Sequence, residues 1–268
     1  MSIPFNIKDK FWDVTHPGMM RRIKHRLILV RHGESESNIE LTTTGKTSEF
    51  SFDHALTDVG KEQAQDIANF LETKGLEHID RIEISPLDRA VQTAMPCLFK
   101  NPIADYWMRE ESNIGSDIYI AVNFDLREKY SKQEYECSIP FLDNVKKGLQ
   151  FPFIYYKNYD QVNKNGNKDL ITRNKWIREP DTNFEGRVEE LLNTWKKIGS
   201  IDNRNQTLVF AHSQLIAQLL SSDKDKSFHL ANGSISIIDI DEDNHLHIQV
   251  ANYTKHLHTP TGMHTCIF

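Results

Sequence analysis

Residues 26–35 read RLILVRHGES, and this stretch decides the fold class. Its first five residues are mostly aliphatic, which is the pattern of a short strand buried on both faces of a parallel sheet. The aliphatic run stops at Arg31 and His32, so a guanidinium and an imidazole follow where the strand ends. Open α/β sheets bind their ligands outside the carboxyl ends of their strands. The stretch therefore predicts a functional loop at the edge of a parallel sheet.

The two side chains of this loop suit a phosphate group. An arginine such as Arg31 offers two parallel N–H donors to phosphate oxygens, and a neutral histidine such as His32 can attack phosphorus as a nucleophile. An Arg-His pair also occurs by chance in surface loops. The interpretation therefore depends on whether other strand ends bring similar groups to the same edge.

Two further segments have the same layout of a strand followed by a donor group. Residues 81–85 form a predicted strand, and Arg89 falls in the first turn of the next helix, where the helix dipole also favours an anion. Residues 208–211 form another strand, which ends at His212 and Ser213, and backbone amides open a helix there. Each segment alone fits an ordinary exposed arginine or structural histidine. Together with the first strand they predict a phosphate pocket.

A carboxyl group follows a fourth predicted strand. Residues 117–122 have the strand pattern, and Glu128 lies in the loop after them. A glutamic acid beside a phosphate pocket can transfer a proton to a leaving oxygen. A single glutamate such as Glu128 does not indicate catalysis by itself, so its interpretation depends on the pocket.

The rest of the chain alternates helix and strand patterns. Helical periodicity is present at residues 58–73, 87–99, 184–198 and 214–220, and strand patterns recur at residues 235–240 and 247–250. Strands that alternate with helices are typical of a parallel sheet covered by helices. We therefore predict an α/β fold, namely a doubly wound, mostly parallel sheet with helices on both faces and an inserted cap.

The cap is predicted where the alternation stops. Residues 129–178 interrupt it for longer than an ordinary loop, and they contain ten Lys or Arg residues against five Asp or Glu residues. We predict that this basic segment lies over the pocket. Residues 1–25 show no clear period and are predicted to be an N-terminal extension. A single domain over residues 26–268 is then expected to carry the fold.

Composition and charge exclude several classes of protein. No apolar run approaches the roughly 20 residues that cross a bilayer, and the charged N-terminal residues do not fit a secretory signal. The formal net charge of −6 argues against nucleic acid as a partner. Three widely spaced cysteines, Cys97, Cys137 and Cys266, suit reduced thiols. We expect a cytoplasmic protein that binds neither membrane nor nucleic acid.

Six short segments stand in one order along the chain between residue 26 and about residue 240. They are RHGE (31–34) with Asn38, ALTDVG (55–60) with Gln63 and Ala64, SPLDRAVQTA (85–94), LRE (126–128), His212 with Ser213, and NGSI (232–235). In this order they resemble the histidine phosphatase superfamily, in the branch related to cofactor-dependent phosphoglycerate mutase. Six segments in family order are far more specific than any single motif.

The resemblance implies a role for each matching residue. It makes His32 the nucleophile and Glu128 the proton donor. The implied phosphate ligands are Arg31, Asn38, Arg89, His212 and Ser213. The implied activity is hydrolysis of a small phosphorylated substrate through a phosphohistidine on His32. Because the cationic groups offset the charge of the phosphoryl group, neither a metal nor another cofactor is expected.

Three functions remain open at this point, namely a phosphatase, a phosphoglycerate-type mutase and a binder that has lost catalysis. A mutase usually has Arg-His-Tyr-Gly after its catalytic glutamate, whereas this chain continues Lys-Tyr-Ser-Lys after Glu128. This departure favours the phosphatase, and the segment up to His212 is closest to eukaryotic mutase-like phosphatases. The acid phosphatase branch has Arg-His-Gly-x-Arg and a His-Asp pair, which Glu34 does not match. The oligomeric state is not fixed by the sequence.

The C-terminal histidines suggest a competing interpretation. Their spacing can place pairs on one face of a strand, as metal ligands require; they are His245, His247, His256, His258 and His264. No cysteine or acidic side chain stands in register with them in the sequence. We therefore predict a solvent-facing strand here and no metal site.

Overall fold

The computed structural model describes residues 23–44, 54–74, 79–100, 119–129, 154–157, 181–198, 206–221 and 230–261. These residues contain seven strands: β1 (Ile23–Arg31), β2 (Arg81–Ile84), β3 (Tyr119–Asn123), β4 (Ile154–Lys157), β5 (Gln206–Ala211), β6 (Ile235–Asp241) and β7 (Leu246–Tyr253). They also contain five α-helices: α1 (Glu36–Thr44), α2 (Asp58–Thr73), α3 (Asp88–Leu98), α4 (Asp181–Ile198) and α5 (Ser213–Leu220). A short 3-10 turn, Phe124–Leu126, follows β3.

The described strands form one mixed sheet in the order β4-β3-β2-β5-β1-β6-β7. The strands from β4 to β1 are parallel to their neighbours, as the sequence predicts. On the other side, β6 runs antiparallel to β1 and β7 runs antiparallel to β6. The prediction of a mostly parallel sheet is confirmed, with β6 as the strand of reversed direction.

Helices cover both faces of this sheet, because alternate residues of β1 point to opposite sides. Ile28 and Val30 join a core cluster with α2 and α3. Leu27 and Leu29 join a second cluster with α4 and α5. These four side chains of β1 are fully buried, and each stabilises the fold by roughly 1.5–3 kcal/mol relative to exposure. The predicted placement of helices on both faces is confirmed.

The predicted cap lies mostly outside the described residues. Within residues 129–178 the structure describes only Lys129 and β4. β4 pairs in parallel with β3 and so extends the sheet at this edge. The predicted extension over residues 1–25 is described only from Ile23, where β1 begins. None of the described helices is both long and apolar enough to cross a membrane.

One buried ion pair joins β1 to the antiparallel strand. Arg26 lies opposite Asp239 in the sheet register. Its Nε and Nη2 atoms donate to the two carboxylate oxygens of Asp239 at 2.6 and 2.8 Å. The side chains are 1% and 2% exposed. Such a pair contributes little relative to apolar residues, but the loss of one partner leaves a buried charge without compensation.

We expect the variant Asp239→Ala to lower the free energy of unfolding by about 3–5 kcal/mol, because the Arg26 guanidinium then stays buried without its carboxylate. The double variant Arg26→Met with Asp239→Leu is expected to recover most of this loss. Urea denaturation measures both changes. Lys61→Ala, which removes an exposed ion pair with Asp58, is the control. It is expected to change the free energy of unfolding little. A cost for Asp239→Ala no larger than the control's would contradict the prediction.

Candidate active site

Three parallel strands end side by side and carry the predicted residues. His32, Ser85 and His212 directly follow β1, β2 and β5. The sheet hydrogen bonds continue past the strand ends, since His32 N donates to Ala211 O at 3.1 Å and Ser85 N donates to Phe210 O at 2.9 Å. The imidazole centroids of His32 and His212 lie 5.2 Å apart. The structure thus brings these strand ends to one edge.

The hydrogen bonds of His32 fix the position of its proton. Its Nδ1 atom lies 2.6 Å from the carbonyl oxygen of Gly33. Because a carbonyl oxygen only accepts, Nδ1 carries the hydrogen. On the other side of the ring, Nε of Arg89 donates to Nε2 of His32 at 3.3 Å. Nε2 therefore has its lone pair available, and the imidazole is neutral in this arrangement.

Burial and charge keep both imidazoles neutral. Burial lowers the pKa of His32 well below its ordinary value, and the guanidiniums of Arg89 and Arg31 lower it further. Burial also lowers the pKa of His212, and Arg89, His32, Arg31 and Arg187 act in the same direction. Both imidazoles are thus in their neutral form at pH 7.

Two arginines supply the positive charge of the site. Arg89 is 4% exposed and lies in the first turn of α3. Arg31 donates through Nη1 to the carbonyl oxygen of Leu230. Burial lowers the pKa of Arg31 to about 10, with Glu128 opposing this shift and Arg89 adding to it. Arg31 therefore stays charged at neutral pH, and the two guanidiniums together can neutralise a phosphate dianion.

Glu128 lies within reach of the same charges. Its carboxyl group accepts hydrogen bonds from the backbone N–H groups of Lys129 and Gln214, the second of which is in the first turn of α5. Burial raises the pKa of Glu128, although Arg89, Arg31 and the two amides oppose the shift. A carboxyl group that keeps its proton up to a higher pH than usual, beside a cationic pocket, is suited to donate that proton.

The described contacts of Asn38 and Ser213 connect loops. Oδ1 of Asn38 accepts from Ser35 N at 3.1 Å and from Asn232 Nδ2 at 2.7 Å. Oγ of Ser213 accepts from Leu230 N at 3.4 Å. The site thus brings together Arg31, His32, Arg89, Glu128 and His212 through direct contacts and electrostatic coupling, while the contacts described for Asn38 and Ser213 are with neighbouring loop residues.

A chain of hydrogen bonds, from both side chains and backbone, closes a ring around the loop of His32. Oε1 of Gln63 accepts from Glu34 N at 2.8 Å, and its Nε2 donates to Thr261 Oγ1 at 3.0 Å. Thr261 O accepts from Asn232 N at 3.1 Å. Asn232 then reaches Asn38, whose Oδ1 also accepts from Ser35. The loop is thereby fixed from α2 and from the C-terminal segment.

Two glycines allow the loop to lie directly against α2. A Cβ atom added at Gly33 would meet the carbonyl oxygen of Gly60, and one added at Gly60 would clash with the backbone of Glu34. The glycine in RHGE and the glycine in ALTDVG are therefore two halves of one backbone contact. No larger residue fits at either position without moving the loop.

Sequence reasoning missed several residues that support the site. Ser85 was part of a matching segment but had no assigned role, and its Oγ lies 2.7 Å from Nε2 of His212. Oγ1 of Thr93 accepts from Gly33 N at 3.0 Å and donates to Arg89 O at 2.6 Å. Arg187 contacts the backbone next to Glu128. Ser85 could have been found from its place at a strand end, whereas Thr93 and Arg187 leave no such signal.

Two of the C-terminal histidines share an acidic partner, whereas His264 lies outside the described residues. Nε2 of His247 lies 2.8 Å from Oδ2 of Asp241, and Nδ1 of His245 lies 3.5 Å from the same oxygen. Asp243 joins Asp241 and His245 in a group whose ligand atoms lie within 4.8 Å of one another. The premise that no acidic side chain stands near these histidines is therefore wrong. Asp241 also accepts a hydrogen bond from His245 N at 2.8 Å, so these contacts stabilise the β6–β7 turn and explain why the three side chains lie together.

Comparisons with known proteins bear on the family and the fold. The sequence profile of the histidine phosphatase superfamily (branch 1) matches residues 27–110. The fold is similar to that of the α-ribazole phosphatase from Shigella flexneri, at 22% identity and a TM-score of 0.52, with 85% of this chain and 96% of that chain covered.

Two other solved structures share the fold. The phosphoglycerate mutase from Bacillus anthracis is 18% identical, with a TM-score of 0.53 over 87% of this chain and 95% of that chain. A mycobacterial glucosyl-3-phosphoglycerate phosphatase is 19% identical, with a TM-score of 0.50 over 86% of this chain and 100% of that chain. The resemblance seen in the sequence is confirmed: residues 27–110 match the histidine phosphatase superfamily (branch 1), and the chain has the α/β fold of its phosphoglycerate mutase-like structures.

Proposed function

We propose that this chain is a phosphatase that hydrolyses a small phosphate monoester through a phosphohistidine on Nε2 of His32. The observation that carries the proposal is the neutral His32 ring, whose Nε2 lone pair faces the Arg89 guanidinium. A nucleophilic nitrogen beside a fixed cation suits attack on an anionic phosphorus centre.

The first step transfers the phosphoryl group to the enzyme. Arg31, Arg89 and His212 bind the phosphoryl oxygens, with Asn38 and Ser213 as added ligands, and the substrate replaces His32 as the acceptor of the Arg89 hydrogen bond. The Nε2 lone pair forms the N–P bond while the P–O ester bond breaks. Its electron pair stays on the leaving oxygen, which takes the proton of Glu128.

The second step returns the enzyme to its starting state. The Glu128 carboxylate takes a proton from water as the water oxygen bonds to phosphorus. The N–P bond breaks and its electron pair returns to Nε2 of His32, so that inorganic phosphate leaves. The two guanidiniums and His212 offset the charge of the transferring group, and this supports a mechanism without a divalent metal.

Hydrolysis is favoured over phosphate transfer between two oxygens of one substrate. Two of the similar structures are phosphatases, and the chain after Glu128 lacks the Arg-His-Tyr-Gly of mutases. The complete set of His32, Glu128 and His212 argues against a binder without catalysis. We also propose that residues 129–178 form a cap that selects the substrate, since the basic residues there suit anionic compounds.

Replacement of His32 by Ala is expected to abolish both turnover and covalent labelling by a radiolabelled phosphate monoester. The label on the unaltered protein should be labile in acid, as expected for a phosphoramidate. His245→Ala is the matched control, since that imidazole is 60% exposed in the β6–β7 turn, and it should be labelled normally. Normal labelling of His32→Ala would show that the nucleophile lies elsewhere.

The imidazole of His32 is expected to be neutral, with its hydrogen on Nδ1, in the free protein at pH 7. A pKa lowered well below the ordinary 6.5 means that the ring has already lost its second proton at this pH. Nitrogen-15 NMR of labelled histidine, assigned by comparison with His32→Gln, measures both features. An imidazolium signal for His32 at pH 7 would contradict the prediction.

A panel of phosphorylated metabolites is expected to include substrates that release inorganic phosphate at the same rate with and without a chelator. The cationic side chains of the pocket take the place of a metal, so its removal should not slow the reaction. Strong inhibition by the chelator, reversed by added magnesium or zinc, would refute the metal-free mechanism. Formation of an isomer without release of phosphate would identify a mutase instead.

A further inference from the structure

We propose that Arg187 is a positioning residue for proton transfer, which holds the backbone before Glu128 so that its carboxyl group meets the leaving oxygen. The inference rests on the proposed function, because it assigns to Arg187 a task within that reaction. Arg187 belongs to α4, on the face of the sheet opposite α2 and α3.

The contacts of Arg187 converge on the residues just before Glu128. Its Nη1 atom donates to the carbonyl oxygen of Asp125 and, at 2.9 Å, to the carbonyl oxygen of Arg127. Arg127 directly precedes Glu128 in the chain. One nitrogen therefore holds two carbonyl groups that lie about 60 residues away in sequence.

The Arg187 side chain is itself held in place. It is 7% exposed, and its guanidinium carbon lies 5.1 Å from the ring centroid of Phe184, one turn earlier in α4. Leu126, in the middle of the held segment, is fully buried in the same core cluster as Phe184. Packing through Leu126 brings the segment onto α4, and the hydrogen bonds of Arg187 fix its orientation.

The other end of the segment is fixed by a different anchor. Oδ1 of Asn123 accepts from Asp125 N at 3.0 Å, and Nδ2 of Asn123 donates to Oε2 of the buried Glu83 at 2.7 Å. The 3-10 turn after β3 is thus attached to the sheet at its start and to α4 at its end. Glu128 is the first acidic side chain beyond the second attachment.

The rate of proton transfer depends on how precisely the attachment places the carboxyl group. A general acid must lie within hydrogen-bond reach of the oxygen that it protonates, and a displacement of about 1 Å can cost on the order of 100-fold in rate. A leaving group that is stable as an anion does not need this proton. Loss of Arg187 should therefore lower the rate more for a poor leaving group than for a good one.

The test measures kcat/KM, which reports steps up to formation of the phosphoenzyme, for an alkyl phosphate, phenyl phosphate and dinitrophenyl phosphate. Arg187→Met keeps an apolar chain on Phe184 and removes the donor. We expect it to lower kcat/KM about 100-fold for the alkyl ester and to change it little for the dinitrophenyl ester. Arg187→Lys, which retains a donor, should recover part of the loss. Lys197→Met, on the last turn of the same helix, is the control and should behave as the unaltered protein.

Glu128→Gln, measured on the same esters, separates failure of the proposal from failure of the proposed function. An equal loss on all esters in Glu128→Gln would remove Glu128 as the proton donor and with it the proposed mechanism. If Glu128→Gln depends on the leaving group but Arg187→Met lowers all esters equally, or none, the proposal for Arg187 is overturned. If the proposal for Arg187 is correct, the double variant Arg187→Met with Glu128→Gln has nearly the same kcat/KM for the alkyl ester as Glu128→Gln alone.

Discussion

Four neighbouring strands, β1, β5, β2 and β3, end nearly level with one another, and the site depends on this register. Arg31 pairs with Ala211, while Ile84 pairs with both Phe210 and Val122. Because parallel strands present their carboxyl ends to the same side, the residues that follow them meet without any long loop. A shift of one residue between β1 and β5 would exchange the side chains that face the two core clusters and would move the two imidazoles apart.

The same register creates an unusual electrostatic environment. Two guanidiniums share a largely buried edge with two imidazoles and one carboxyl group, and burial shifts the titration of the last three towards their neutral forms. Among the described residues of the free site, Arg31 and Arg89 supply positive charge next to these neutral groups. An anion that enters supplies the missing negative charge. Anion binding and the pKa values of the histidines are consequently linked, because a bound phosphate would favour the protonated form of a neighbouring imidazole.

Much of this arrangement could be predicted from the sequence because local patterns encode it. Helix α2 has the predicted bounds, since Thr57 caps it through a hydrogen bond from Gly60 N and its apolar face is regular. Strand ends marked by Arg31 and His212 were equally visible. The reversed direction of β6, the place of β4 beside β3 and the contacts of Arg187 could not be predicted, because they depend on pairings between distant segments. Helix α1, with its polar sequence, lacks an apolar face that would reveal it.

The ring that runs from Glu34 through Gln63, Thr261 and Asn232 to Asn38 joins the two ends of the described chain. Its closing hydrogen bonds connect residues 198 and 194 positions apart. During synthesis on the ribosome, the loop of His32 emerges long before the segments that complete its surroundings. Contacts between residues so far apart in sequence form late and slowly, because closing such a long loop costs chain entropy. Packing of the core must first offset this cost. Nascent chains that lack the final strands would therefore contain His32 in an incomplete loop, so that the proposed active site is complete only when folding is nearly finished.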